Sequence, residues 1–223
     1  MLAALLRPPP TLADLFASLG GVPIDRIWTS PLPGSATEFD MVRNVEAADK
    51  RLVELIDGTL VEKASSQQKS RLICHLMAQV CDYCHEYDLG AVCGPDCPVR
   101  MCCGNVRLPE GCVFPFSAYP DFTIPDENVA SLAPRLAVEV TIDTNTVAEV
   151  AKKLGELFAS GTTLAWVLDL DTRTTEVYTT ATDFTPLDTG DTLDGGDILP
   201  GFVCPLGDLF EEASRRSARK KAP

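Results

Sequence analysis

Between residues 135 and 170 the chain reads as an apolar run, an amphipathic helix and a second apolar run: "RLAVEV", a helix opening near Thr146, then "TTLAWVLDL". Two strands joined through a helix need a crossover, and a crossover sets them parallel in one sheet. Hairpins flank this unit. "RLVELIDGTLVEK" holds two β-prone runs about Asp57-Gly58, a strong two-residue turn signal. "TTLAWVLDL" pairs with "TTEVYTT" about a turn at Asp171 to Arg173. From Ser66 to Glu86, Leu72, Leu76, Val80 and Tyr83 recur at helical spacing. "TLADLFASLGG" is a short helix capped by Thr11 and stopped by Gly20 and Gly21. Prolines at 23, 31 and 33 mark a connector into "TEFDMVRNVEAADK", which is polar and only weakly periodic. Residues 90–101 and 112–116 read as strands, and "ILPGFVCPLGDLF" as a short strand with one last helical turn. The expected fold class is α/β (α+β), a mixed central sheet flanked by helices. The expected organisation is an N-terminal helical extension (1–45), a main domain (46–212) and a basic, flexible tail (213–223).

Bulk properties narrow the function. A chain of 223 residues can bury one real core. It has no apolar run near the length a membrane helix needs. "MLAALLRPPP" lacks the pattern of a signal peptide, and nine cysteines without one imply reduced thiols and a cytoplasmic setting. A formal charge of −13 opposes non-specific binding to nucleic acid. The basic cluster "RRSARKK" reads as a solubilising terminus. A polyanion would have to be met by a local site or a bound metal.

Such a site is suggested by misplaced charge. Glu139 stands fourth in "LAVEV", flanked by Leu136, Ala137, Val138 and Val140, where burial without a partner costs several kcal/mol. An edge strand with one solvent-facing position would also accommodate it. Glu54 repeats the oddity in "LVELI", on the strand face of Leu52 and Ile56. In the following helix Val150, Leu154, Leu157 and Phe158 define the buried stripe. Lys152 is expected to point into solvent. Lys153 falls on the boundary, where its stem can lie on the core and its ammonium reach the sheet; a surface pair with Glu149 or Glu156 is the alternative. Two acids with an open position hold Mg²⁺ or Mn²⁺, and a lysine beside them can orient a water.

The residues "DKRLVELIDGTLVEKA", "RLAVEV", "WVLDLDTRTTEVYT" and "GDTLDGGDILPGF" together resemble the Uma-two family of restriction endonucleases, within the PD-(D/E)xK nuclease superfamily. The resemblance spans about residues 35 to 210. It implies a restriction-endonuclease-like fold, a Mg²⁺ (or Mn²⁺) site hydrolysing DNA phosphodiesters, and a homodimer; the acidic charge makes the expected DNA binding weak or site-specific, and the lack of a long apolar run leaves no membrane partner expected. Thr141 occupies the position where the superfamily's lysine usually stands, and Lys153 resembles the lysine supplied by the next helix instead. Glu139 matches the strand's acid, and the Val140 backbone carbonyl joins the implied ligand set. Two residues compete for the first acid. Glu110 in "VRLPEGCVF" fits the context, with Glu where Asp is usual, and Asp121 in "YPDFTI" supplies the literal dipeptide. Glu54 would lend a further carboxylate. A catalytically inactive member binding nucleic acid or a protein partner is the alternative.

Other chemistries find little support. "CDYC" at 81–84 and "CGPDC" at 93–97 could supply four thiolates to zinc, but the first pair falls inside a helix. Cys74, Cys81 and Cys84 read instead as small hydrophobes on that helix's partly buried face, and Cys102-Cys103 as incidental. His75 and His85 stand in no nucleophile pattern, and there is no phosphate-cradling glycine loop.

Overall fold

The structure is a computed structural model, and it describes residues 11–46 and 51–214. The readings of "MLAALLRPPP" and of the tail "RRSARKK" fall outside the described residues.

In chain order the elements are α1 (Leu12–Ser18), α2 (Glu38–Glu46), β1 (Val53–Ile56), β2 (Thr59–Glu62), α3 (Gln67–Glu86), β3 (Gly90–Cys93), β4 (Val99–Arg100), β5 (Val106–Arg107) and β6 (Gly111–Pro115). There follow β7 (Leu136–Thr141), α4 (Val147–Ser160), β8 (Leu164–Asp169), β9 (Thr174–Tyr178), β10 (Phe184–Leu187), β11 (Thr192–Asp194), β12 (Val203–Pro205) and α5 (Leu206–Ser214). A six-stranded sheet runs β10-β9-β8-β7-β6-β3, a four-stranded sheet runs β2-β1-β5-β4, and β11 pairs with β12. The β7–α4–β8 crossover makes its two strands parallel, with Glu139 opposite Val167. Both neighbours of that pair are antiparallel, so the sheet is mixed.

Helix starts follow side-chain caps. Thr11, Ser66 and Thr146 each accept a backbone N–H of the first turn that follows, satisfying donors a helix leaves open. The β1–β2 turn needs positive φ at both central residues, and Asp57 (φ 49°) and Gly58 (φ 72°) supply it. One side of the six-stranded sheet buries Val138, Val140, Trp166 and Leu168 under α3 and α5. On the other, Leu154 and Leu157 of α4 cover Ala137, Ala165 and Val167. The N-terminal segment closes over the first hairpin: Leu15, Leu19 and Val22 pack on Ile56 and Val61. Gly20 passes so near α4 that a Cβ there would lie 2.8 Å from the Glu149 backbone.

Several expectations are corrected. The run 90–101 is two strands in different sheets, β3 and β4, because Pro95 and Pro98 lack the N–H that a continuous ladder needs. Between them Cys97 N–H donates to Gly94 in a turn. β5, β10 and β11 lie outside the strands expected from the sequence. "TEFDMVRNVEAADK" contributes the helix α2. The closing helix is nine residues long, since Leu206, Leu209, Phe210 and Ala213 extend a buried stripe past the single turn expected. On α3 the buried stripe is Leu72, Ile73, Leu76, Met77, Val80 and Cys84, which leaves Cys74 and Cys81 exposed on its opposite side.

Candidate active site

Four elements converge where the two larger sheets meet. β1 brings Glu54, β7 brings Glu139, and α4 brings Lys153. Glu110 directly precedes β6 and is tied to β7 by its own N–H, which donates to the Val138 carbonyl at 2.9 Å. All four side chains are buried, each residue being 5–7% exposed.

Lys153 is the hub. Its Nζ lies 2.8 Å from Glu54 Oε1 and 2.7 Å from Glu139 Oε1, and it donates to the Leu108 carbonyl at 2.9 Å. The contact with Glu139 is an ion pair off the hydrogen-bonding direction, so that buried oxygen accepts no directed hydrogen bond. Glu54 is better served: it also accepts from Arg107 Nη1 at 2.9 Å and from Leu108 N–H at 2.9 Å. Arg107, 1% exposed, donates in turn to Glu156 at 2.6 Å. Glu110 Oε1 is shared by Lys69 at 2.8 Å and Lys63 at 3.1 Å.

These partners sort the acids by charge state. Burial would raise Glu54, but the charges of Lys153 and Arg107 outweigh it and hold the carboxyl well below its usual range. Glu110 is likewise lowered, its burial overcome by Lys63 and Lys69. Glu139 goes the other way. Burial pushes it up, Lys153 only partly offsets that, and neighbouring Glu110 adds to the rise. Lys153 is raised, because Glu139 and Glu54 more than compensate its desolvation. Lys63 is lowered, since burial exceeds the pull of Glu110. Glu139 is thus the least compensated acid of the cluster. Counting Glu156, four carboxylates face four cations (Lys63, Lys69, Lys153 and Arg107), so the ensemble is neutral.

Glu54, Glu110, Glu139, Val140 and Lys153 border one cavity of about 30 Å³. That is room for about two water-sized spheres, or one small ion and a water. The donors facing it are oxygens, the choice of a hard divalent cation. Lysines stand among the acids, and no three carboxylates among the described residues bring their oxygens within 4.8 Å of one another. The cavity thus offers oxygen donors of the kind a hard cation takes, with lysine ammonium groups set between them.

Asp121 is elsewhere, exposed at φ 56° in a short 3-10 turn, away from this cavity. Lys152 does not point freely into solvent as expected: the hairpin and the N-terminal segment cover its face of α4, and it bonds Asp57 at 2.6 Å and the Ser18 carbonyl at 2.9 Å. Nor does Lys153 take Glu149 or Glu156 as its partner. Arg26 claims the first at 2.6 Å and Arg107 the second. Lys63, Lys69 and Arg107 were missed. One signal was available: a lysine in the first turn after the Ser66 cap opposes the helix dipole, a placement that calls for an anionic partner.

The sequence matches the family Uma2, described as "Putative restriction endonuclease", over residues 38–207. No curated protein matches the chain. Among solved structures the fold is similar to that of a protein from Anabaena variabilis ATCC 29413, described as a "putative nuclease belonging to DUF820". The two share 17% identity at a TM-score of 0.66, over 78% of this chain and 98% of the other.

Proposed function

Because the chain belongs to the Uma2 family, we propose that it is a divalent-metal-dependent endonuclease that hydrolyses DNA phosphodiesters at the cavity between Glu110, Glu139 and Lys153. The observation that carries this reading is the convergence of three buried acids and three lysines with covered side chains on a space the size of one ion and one water.

Glu110, Glu139 and the Val140 carbonyl would hold Mg²⁺ or Mn²⁺. Such an ion polarises a phosphoryl oxygen and eases loss of a proton from the attacking water. The chain's own groups do the rest. Lys153 fixes the Glu139 carboxylate and is itself fixed by Glu54, which Arg107 and Leu108 N–H anchor. Lys63 and Lys69, released from Glu110, would meet the non-bridging oxygens of the phosphate. Charge balance supports this assignment. A neutral cluster would gain two positive charges with the ion, and the phosphodiester would return one negative charge. Metal and substrate then bind best together. Pairing of two copies, so that both DNA strands can be cut, belongs to the same proposal.

Nicking of supercoiled plasmid with Mg²⁺ or Mn²⁺ tests it. The wild type is expected to cleave, Glu139→Gln and Glu110→Gln to lose at least about 100-fold, and Asp121→Asn to be unaffected. Undiminished cleavage by Glu139→Gln would overturn the assignment, and loss in Asp121→Asn alone would move the first acid there.

One observation favours a second reading: Glu110 is already bridged by two lysines, and the cluster is neutral without any ion. In that reading the chain is an inactive nuclease fold that binds nucleic acid or a protein partner, and it takes up no metal at Glu139.

A further inference from the structure

A second polar cluster lies on the same sheet, outside the carboxylate site. Cys93 ends β3, Cys112 sits opposite it on β6, and Cys97 returns toward both from the turn after β3. Their three sulfurs lie within 4.8 Å of one another, and among the described residues no other group of three metal-binding side chains meets so closely. Cys112 is fully buried, while Cys93 and Cys97 are partly so.

Cysteine buried as a small hydrophobe has no reason to gather in threes, because each sulfur then surrenders carbon contacts for weak sulfur ones. Three thiols on one point are a soft-metal donor set. Tetrahedral Zn–S bonds of about 2.3 Å put sulfurs about 3.8 Å apart, so the cluster need contract by at most about 1 Å. Cys93 and Cys97 also border a cavity of about 210 Å³, lined with Tyr119, Glu127 and Asn128, which leaves room for a fourth ligand.

We propose that Cys93, Cys97 and Cys112 form a zinc site with three thiolate ligands and a fourth position open to that cavity. Zinc there would clamp the turn after β3 onto β6, two residues from Glu110. The site thus pins the strand that presents an acid of the carboxylate cluster, and it is chemically distinct from that cluster: thiolates take Zn²⁺, the carboxylates Mg²⁺ or Mn²⁺.

The test uses the full chain, reduced and freed of metal, titrated with Zn²⁺ against a chromophoric chelator and with Co²⁺ by absorption. One equivalent is expected to bind, with a thiolate-to-cobalt charge-transfer band. Cys97→Ser, in a surface turn, should keep its fold by circular dichroism and bind at least about 100-fold more weakly. A variant with the four exposed cysteines Cys74, Cys81, Cys102 and Cys103 changed to serine should bind as the wild type does. Equal affinity in Cys97→Ser, or loss in the four-serine variant, would overturn the proposal. So would a reduced chain that takes up no zinc, even if mild oxidation then links Cys93 to Cys112, which would mark the cluster as a redox pair.

Discussion

Replacing Lys153 by Met keeps the aliphatic stem and removes one charge. Two ion contacts near 2.8 Å disappear, each a gross attraction of about 6 kcal/mol at an effective dielectric of 20. Most of that is returned, since the ammonium no longer has to be desolvated. The residual loss falls unequally. Glu54 keeps Arg107 and the Leu108 N–H, whereas Glu139 is left without a cation in contact. Removing one partner of a buried pair costs about 3–5 kcal/mol, which for a chain of this size lowers the melting temperature by roughly 10 °C. Glu139→Gln alone should change stability by no more than about 1 kcal/mol, because Lys153 retains Glu54 and the Leu108 carbonyl. The double variant should recover about 2 kcal/mol of the Lys153→Met loss, a coupling within the range of contacting buried groups. Urea unfolding of the four proteins at pH 7 reads all three quantities. A Lys153→Met cost below about 1 kcal/mol, or a coupling near zero, would refute the picture of Lys153 as the countercharge of a buried acid.

The remaining expectations rest on individual groups. Glu54 and Glu110 have folded values below 4.5, so the stability they confer is present above pH 4.5 and drains away as pH falls below it. Glu139 has the opposite sign: its folded value is raised, its penalty is absent below pH 4.5 and grows as pH rises through that folded value. The stability of Glu139→Gln relative to wild type should therefore be more favourable at pH 7 than at pH 4, and a difference that does not change with pH would contradict the assignment. Two glycines should behave oppositely in thermal melts. Gly155→Ala, mid-helix with open space around the new Cβ, is expected to stabilise by up to about 1 kcal/mol. Gly90→Ala, whose Cβ would lie 2.4 Å from the Phe114 carbonyl oxygen, is expected to destabilise by about 1–3 kcal/mol.

What could be read from the sequence was whatever a local period or a local misfit encodes. The β7–α4–β8 unit and the Asp57-Gly58 hairpin follow from spacing and turn chemistry. Glu54 and Glu139 stood out because each interrupts an apolar strand, and Lys153 because it lies at the edge of a helical stripe. Glu110 needed the resemblance, since nothing in "RLPEG" is unusual for a loop. The rest depends on contacts distant in sequence. Lys63, just past β2, and Lys69, in the first turn of α3, meet Glu110 only once the chain is folded. Arg107 looks like any strand-end arginine until two acids from β1 and α4 close on it. Cys112 is the third thiol of its cluster only because the antiparallel register sets it opposite Cys93, and that register is invisible in the spacing that suggested Cys81 and Cys84. Lys152 departs from its expected exposure for a related reason: helical phase gives its direction, but not the N-terminal segment that covers it.

The most direct test of the carboxylate site is a Mn²⁺ binding isotherm, followed by electron paramagnetic resonance, with and without a short DNA duplex. One Mn²⁺ should bind, more tightly when the duplex supplies negative charge, and binding should vanish in Glu139→Gln while its fold is unchanged. Absence of Mn²⁺ binding in the presence of duplex, or binding that survives both Glu139→Gln and Glu110→Gln, would contradict the account.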